Sequence, residues 1–137
     1  MHIEFQVEEG DFTRAGYASS QIKKNLKSIG IPAAIIKRVV IAVYEAEVNI
    51  VAHAYRGEIL VDIDAEGVTV LLKDEGPGIP DINKAMQKGF STASHEVRQM
   101  GFGAGMGLPN ILENSDDFKI DSQVGVGTTI TIFNRFS

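Results

Sequence analysis

An α+β sandwich in two layers is predicted for this chain, with helices on one face of a mixed, mostly antiparallel sheet. Three observations predict it. The elements read in the order β-α-α-β-β-α-β-β, which groups strands and helices instead of alternating them. Two pairs of alternating segments are each joined by a short glycine-containing turn, the pattern of hairpins. One helix is apolar nearly all round, so it has to lie against another layer.

Taken in order, HIEFQV places Ile3, Phe5 and Val7 on one side and reads as a strand. From about Phe12 to Ile29, Ala15, Ala18, Ile22, Leu26 and Ile29 recur at three- and four-residue steps, an amphipathic helix. Lys23, Lys24 and Lys27 form its solvated face. Gly30 reads as a left-handed stop and Pro32 as a first-turn residue of the next helix. That helix, roughly 33–54, carries Val39, Val40, Ile41, Val43, Val48, Ile50 and Val51. EILVDID and GVTVLLKD follow as a hairpin around Ala65-Glu66-Gly67, and DEGPGIPD then breaks regular structure. A short helix is predicted over 81–88, and 89–106 is polar and glycine-rich. Another helix starts near Leu108, and FKIDSQ and TTITIF close the chain as a hairpin around Gly125-Val126-Gly127. With no internal repeat and no linker-like stretch, 1–137 reads as one domain.

Composition narrows the function classes. A chain of 137 residues, 44% hydrophobic, can build one core without staples. The absence of cysteine removes disulfides, thiolate metal sites and a cysteine nucleophile. No apolar run approaches the roughly 20 residues that span a bilayer. MHIEFQVEEG lacks the basic-then-apolar layout of a signal peptide, so a cytoplasmic protein without a membrane partner is expected. The net charge of −5 argues against nucleic acid, whose binding feeds on basic patches.

Three stretches can carry chemistry. In VVIAVYEAEVNIVAHA, Glu45, Asn49 and His53 lie four residues apart and form one polar stripe on an apolar cylinder. Such groups are costly to bury unpaired, so they either reach a shared ligand or cap neighbouring loops. Glu47 lies about 200° from Glu45 around the helix and belongs to another face. The second stretch is Asp74-Glu75-Gly76-Pro77-Gly78-Ile79-Pro80. Here a carboxylate leaving a strand can hold an exocyclic amino group such as that of adenine, with glycines admitting something flat. The same residues also make an ordinary turn. The third is QMGFGAGMGLPNI, with Gly101, Gly103, Gly105 and Gly107 at every second position. A Walker loop needs Lys and Ser/Thr where Gly107 and Leu108 stand, and the period of two fails the dinucleotide fingerprint. What remains is either a slack linker or a glycine run feeding a helix whose first amides face an anion.

The ordered set Glu45-x-x-x-Asn49, Asp74-x-Gly76-x-Gly78, Gly105-Met106-Gly107-Leu108 and Gly127-Thr128 resembles the GHKL ATP-binding superfamily over residues about 41–129. Within it the chain looks most like the small bacterial anti-sigma and stressosome switch serine/threonine kinases. The resemblance implies a Bergerat-type fold with an ATP lid over about 84–106. It also implies Mg²⁺ and ATP as cofactors and a serine or threonine acceptor on a STAS-domain regulatory protein. A sigma factor is the partner in the alternative, a nucleotide-gated sequestering module; a homodimer is compatible with both. Carried over residue by residue, Glu45 is the base and Asn49 binds Mg²⁺. Asp74 receives the adenine amino group, with Gly76, Gly78 and Ile79 around it. Gly105, Met106, Gly107 and Leu108 lie along the phosphates. Gly101 and Gly103 belong to a lid hinge, and Thr128 holds the adenine-side network. Ser91 and Thr92 match lid hydroxyls, and they equally suit a solvated loop. The first helix departs from the family pattern: Arg14 comes early, and Ser19 and Ser20 stand where a phosphate-reaching arginine is often found.

Overall fold

A computed structural model of the chain describes residues 1–8, 10, 14–79, 82, 86 and 107–137, with the side chain of His53 outside that set. The elements are β1 (His2–Glu8), α1 (Tyr17–Ser28), α2 (Ala33–His53), β2 (Arg56–Ile63), β3 (Gly67–Glu75), α3 (Gly107–Glu113), β4 (Asp117–Gln123) and β5 (Gly127–Arg135). The five strands form one sheet in the order β1-β2-β3-β5-β4. All four pairings are antiparallel. The expected element order and both hairpins are present. In the first, the Asp64 carboxylate accepts from the amides of Glu66 and Gly67 and so builds the turn.

Register follows from the alternation. Phe5 pairs with Ile59, Ile59 with Leu72, Leu72 with Ile130 and Ile130 with Ile120, so one apolar row crosses all five strands. Val61, Val70 and Ile132 make the next row, and both rows face the helices. From the helix layer Ile22, Leu26, Val39, Val43 and Ile111 meet them, all fully buried. The opposite face alternates out to Glu4, Leu60, Leu71, Thr131 and Lys119, exposed or half-buried.

Two helix boundaries differ from the sequence reading. α1 begins at Tyr17, after Gly16 in a left-handed conformation, and not near Phe12, which lies outside the described residues. Ile29 is past the helix end and exposed. Gly30, with φ 80°, closes the helix as expected: its amide reaches Lys27 O and that of Ile31 reaches Leu26 O, the paired bonds of a Schellman stop. Pro32 stands one residue earlier than predicted, as the N-cap of α2 in extended conformation, because its fixed φ also suits the approach to a helix. α2 runs to His53, but Tyr44 and much of its first turns are exposed, so only part of its surface is core. Lys23, Lys24 and Lys27 are exposed, as read. The short helix over 81–88 and the lid over 84–106 fall largely outside the described residues.

Candidate functional site

At one end of the sheet the helix-facing side changes from apolar to polar. On β3 the positions 68, 70 and 72 are followed by Asp74, on β5 Ile130 is preceded by Thr128, and on β4 Phe118 and Ile120 are followed by Ser122. Strand parity therefore delivers three polar groups to one edge of the core. The Thr128 amide donates to Asp74 Oδ1 at 3.0 Å, Ser122 Oγ and Thr128 Oγ1 lie 2.9 Å apart, and the Ile79 amide donates to Ser122 Oγ at 2.7 Å. Burial pushes the Asp74 carboxyl above the ordinary aspartate value, and the Thr128 amide pulls it back in part. No second partner is found for that carboxyl among the described residues.

Glycines are what let the chain come this close. A Cβ on Gly127 would overlap the Asp74 carbonyl oxygen. One on Gly78 (φ 77°) would stand 2.5 Å from Gln123 O, and one on Gly76 would meet Ala54 Cα at 3.0 Å. The last contact sets this polar edge against the C-terminal end of α2.

Further up α2, Glu45 and Asn49 share a face, and α3 packs across it. A Cβ on Gly107 would lie 3.3 Å from Asn49 Oδ1 and 3.6 Å from Glu45 Oε2, so the first residue of α3 sits directly over both side chains. Asn110, one turn on, donates from Nδ2 to Glu45 Oε1 at 3.4 Å. The Asn49 carboxamide has no hydrogen-bond partner among the described residues. Glu47 behaves differently. It is 3% exposed and accepts from the amides of Ala18 and Ser19, at 3.1 and 3.4 Å. It thus caps α1 from across the interface where Gly16 has no side chain to do so. Burial drives its carboxyl upward, partly offset by those amides and that of Gly16, and Tyr44 is likewise raised by burial and by Glu45 and Glu47.

Among the residues singled out from sequence, Asp74, Gly76, Gly78, Ile79 and Thr128 meet at the polar edge beside the end of α2, and Glu45, Asn49 and Gly107 meet further up that helix. Leu108 follows Gly107 and its side chain is buried in the core. Gly101, Gly103, Gly105, Met106, Ser91 and Thr92 lie outside the described residues. Arg14 stacks on Tyr17, 5.2 Å from the ring centroid. Ser122 and Asn110 were not singled out from sequence, whereas Gly127, named there beside Thr128, abuts Asp74. The alternation of FKIDSQ puts Ser122 on the core face and was the available signal for it; nothing local marks Asn110.

The nine residue steps from Glu45 to Ala54, the C-cap of α2, span about 13 Å. The sandwich thus carries a desolvated carboxylate beside the end of α2 and a carboxylate–amide pair further up the same helix. The chain belongs to the histidine kinase-like ATPase domain family, whose profile matches residues 11–133. It is 35% identical over 118 residues to the serine/threonine-protein kinase RsbT of Bacillus subtilis, covering 82% of this chain and 83% of that one. It is 30% identical to the anti-sigma F factor of the same species over 148 aligned positions, covering 100% of this chain and 92% of the relative. Its fold is shared with the RsbU and RsbW domains of Rv1364c from Mycobacterium tuberculosis, at TM-score 0.67 and 18% identity, over 98% of this chain and 32% of the mycobacterial one. The chain is an ATP-using serine/threonine protein kinase of the anti-sigma type. Among the described residues no helix is long and apolar enough to cross a membrane.

Proposed function

We propose that this kinase transfers the γ-phosphoryl group of Mg-ATP to a serine or threonine of a STAS-domain-like regulatory protein in the cytoplasm, with Glu45 as the base. The observation that carries this reading is the convergence of Glu45 Oε2 and the Asn49 carboxamide on Gly107, the start of the helix reached from the glycine run. Asp74 fits the exocyclic amino group of adenine: its carboxyl is desolvated, held by one amide, and keeps acceptor capacity to spare. Gly76 and Gly78 give the ring room, Ile79 lies in the same turn, and Thr128 with Ser122 fixes the Asp74 carboxylate. Gly105, Met106, Gly107 and Leu108 would follow the phosphates with their backbone, and Gly101 and Gly103 would let the lid move.

The oxygen of the Asn49 side chain suits a hard cation that prefers oxygen ligands and retains water. Asn49 would hold Mg²⁺, which would supply charge neutralisation at the phosphates; with positioning, that is most of what phosphoryl transfer requires. Glu45 accepts the proton of the acceptor hydroxyl as that oxygen bonds to the γ-phosphorus. The bond from that phosphorus to the β-bridging oxygen breaks, and ADP leaves with the electron pair. The test is incubation with γ-labelled ATP and purified STAS-domain proteins encoded in the same genome. Label on one of them, lost in Glu45→Ala, is the expected result; full labelling by the variant removes Glu45 as base.

A second reading, a nucleotide-gated module that sequesters a sigma factor, is favoured by the likeness to an anti-sigma F factor along the whole chain. Stoichiometric capture of a sigma factor with a non-hydrolysable ATP analogue, without labelling of any STAS-domain protein, would establish it instead.

A further inference from the structure

Glu45 is held by a residue of the opposing helix that none of the ATP-binding boxes contains. We infer that Asn110 is a positioning residue for Glu45: its carboxamide N–H fixes Oε1, so that Oε2 is the oxygen left facing the start of α3. The inference rests on Glu45 being the base.

The division of labour within Asn110 is what separates this from a structural role. Its backbone carbonyl accepts from the amide of Asn114 at 3.2 Å and from Asn114 Nδ2 at 2.9 Å, and so closes the C-terminal end of α3. Those bonds do not need its side chain. The side chain points the other way and meets Glu45, 65 residues earlier in sequence. α3 has only seven residues, too few to hold itself, and its far end is anchored in the core. Asn134 on β5 is 1% exposed and donates from Nδ2 to Asn114 O at 2.7 Å, while Ser115 Oγ donates to Ile111 O at 2.6 Å. A run of contacts therefore leads from β5 through Asn114 and Asn110 to Glu45. The helix that begins at Gly107 also sets the direction of the carboxylate.

At 3.4 Å the contact with Glu45 is long, as polar contacts around a reacting group commonly are before the substrate is in place. A neutral donor suits this role, because it orients the carboxylate without neutralising it, as a lysine or arginine at the same place would. Misalignment of a base costs rate and not nucleotide affinity, so the two parameters should separate.

Two measurements test this. In the ¹H–¹⁵N spectrum of the full chain, the side-chain amide pair of Asn110 should move in Glu45→Gln and stay in Glu66→Gln, a control in the exposed β2–β3 turn. An Asn110 pair that ignores Glu45→Gln overturns the contact. In phosphoryl transfer to the labelled STAS-domain protein, Asn110→Asp keeps the shape, removes the donor and sets a second carboxylate against Glu45, so Asn110→Ala is its uncharged control. The aspartate variant should lower kcat roughly tenfold to a hundredfold, leave the KM for ATP within about twofold, and leave Tm unchanged. Asn110→Ala should do the same and serves if the aspartate variant folds poorly; Asn110→Gln, which retains a donor, should recover part of the rate. Wild-type kcat in Asn110→Asp and Asn110→Ala, with Glu45→Ala inactive, overturns positioning and leaves the base reading intact. An active Glu45→Ala brings down the base reading itself and the positioning role with it.

Discussion

Two carboxylates two residues apart on α2 have opposite fates. Glu45 is half-buried, accepts a hydrogen bond from the side chain of Asn110, and lies beside Asn49 under Gly107. Glu47 is buried, accepts two backbone amides at the start of α1, and has no open side. Both are glutamates on an apolar helix, so residue type and hydropathy do not separate them. What separates them is the opposing surface. One meets a glycine and a side-chain amide on a short helix, which leave it half-buried. The other meets the unsatisfied amides of a helix with no cap of its own, which consume it. A carboxylate buried to this extent against backbone amides offers no approach to a substrate hydroxyl.

The strongest way to break this contrast is to remove each in turn. Glu45→Ala should lower phosphoryl transfer by about 10²–10⁴-fold, the usual contribution of a positioned base, with Tm and nucleotide affinity by calorimetry unchanged. A large fall in Tm would make Glu45 a structural group like its neighbour. Glu47→Ala should instead cost about 2–4 kcal/mol in urea unfolding, since two buried amides lose their acceptor, and hydrogen exchange should speed first at Ala18 and Ser19. If stability held, the cap would be dispensable and the contrast would fail from the other side.

A third carboxylate sharpens the comparison. Asp74 is desolvated like Glu47 but accepts only one amide and keeps capacity for a ligand. Asp74→Asn preserves an oxygen for the Thr128 amide and turns a donor toward the place proposed for the adenine amino group. Nucleotide binding should weaken roughly tenfold to a hundredfold, the worth of a hydrogen bond to a charged acceptor, while stability at neutral pH is kept. Unchanged affinity would move the adenine contact elsewhere.

The smallest effect is in pH. Burial raises Glu47 above its ordinary value of 4.5, so its charged form is disfavoured in the folded protein. Its contribution to stability is full below that value and is lost as pH rises through the higher folded one. Glu47→Gln removes this dependence. In thermal melts from about pH 4 to 8, any advantage of the wild type over Glu47→Gln should therefore shrink as pH rises. A gap that widens with pH would mean that the amides at Ala18 and Ser19 outweigh burial and hold the carboxyl below its ordinary value.

Periodicity was enough to read the strands, both hairpins, α2, and the shared face of Glu45 and Asn49, because each depends on neighbours two to four positions away. The stop at Gly30 was legible for the same reason, as a left-handed residue closing two local bonds. The start of α1 was not: Ala15 keeps the helical spacing of Ala18 and Ile22, yet the helix begins at Tyr17, where Glu47 meets the amides of residues 18 and 19 from 29 and 28 positions away. The box around Asp74 was legible as a turn with a carboxylate, but its partners Thr128 and Ser122 come from another hairpin, and only pairing of β3 with β5 brings them within bonding distance. Asn110 carried no local signal, since an asparagine in a short helix turn is ordinary until α3 crosses α2. Chain-local geometry repeats along the sequence and can be read from it. The partner that satisfies a buried polar group is chosen by which surfaces pack together, and that is set only when the layers close.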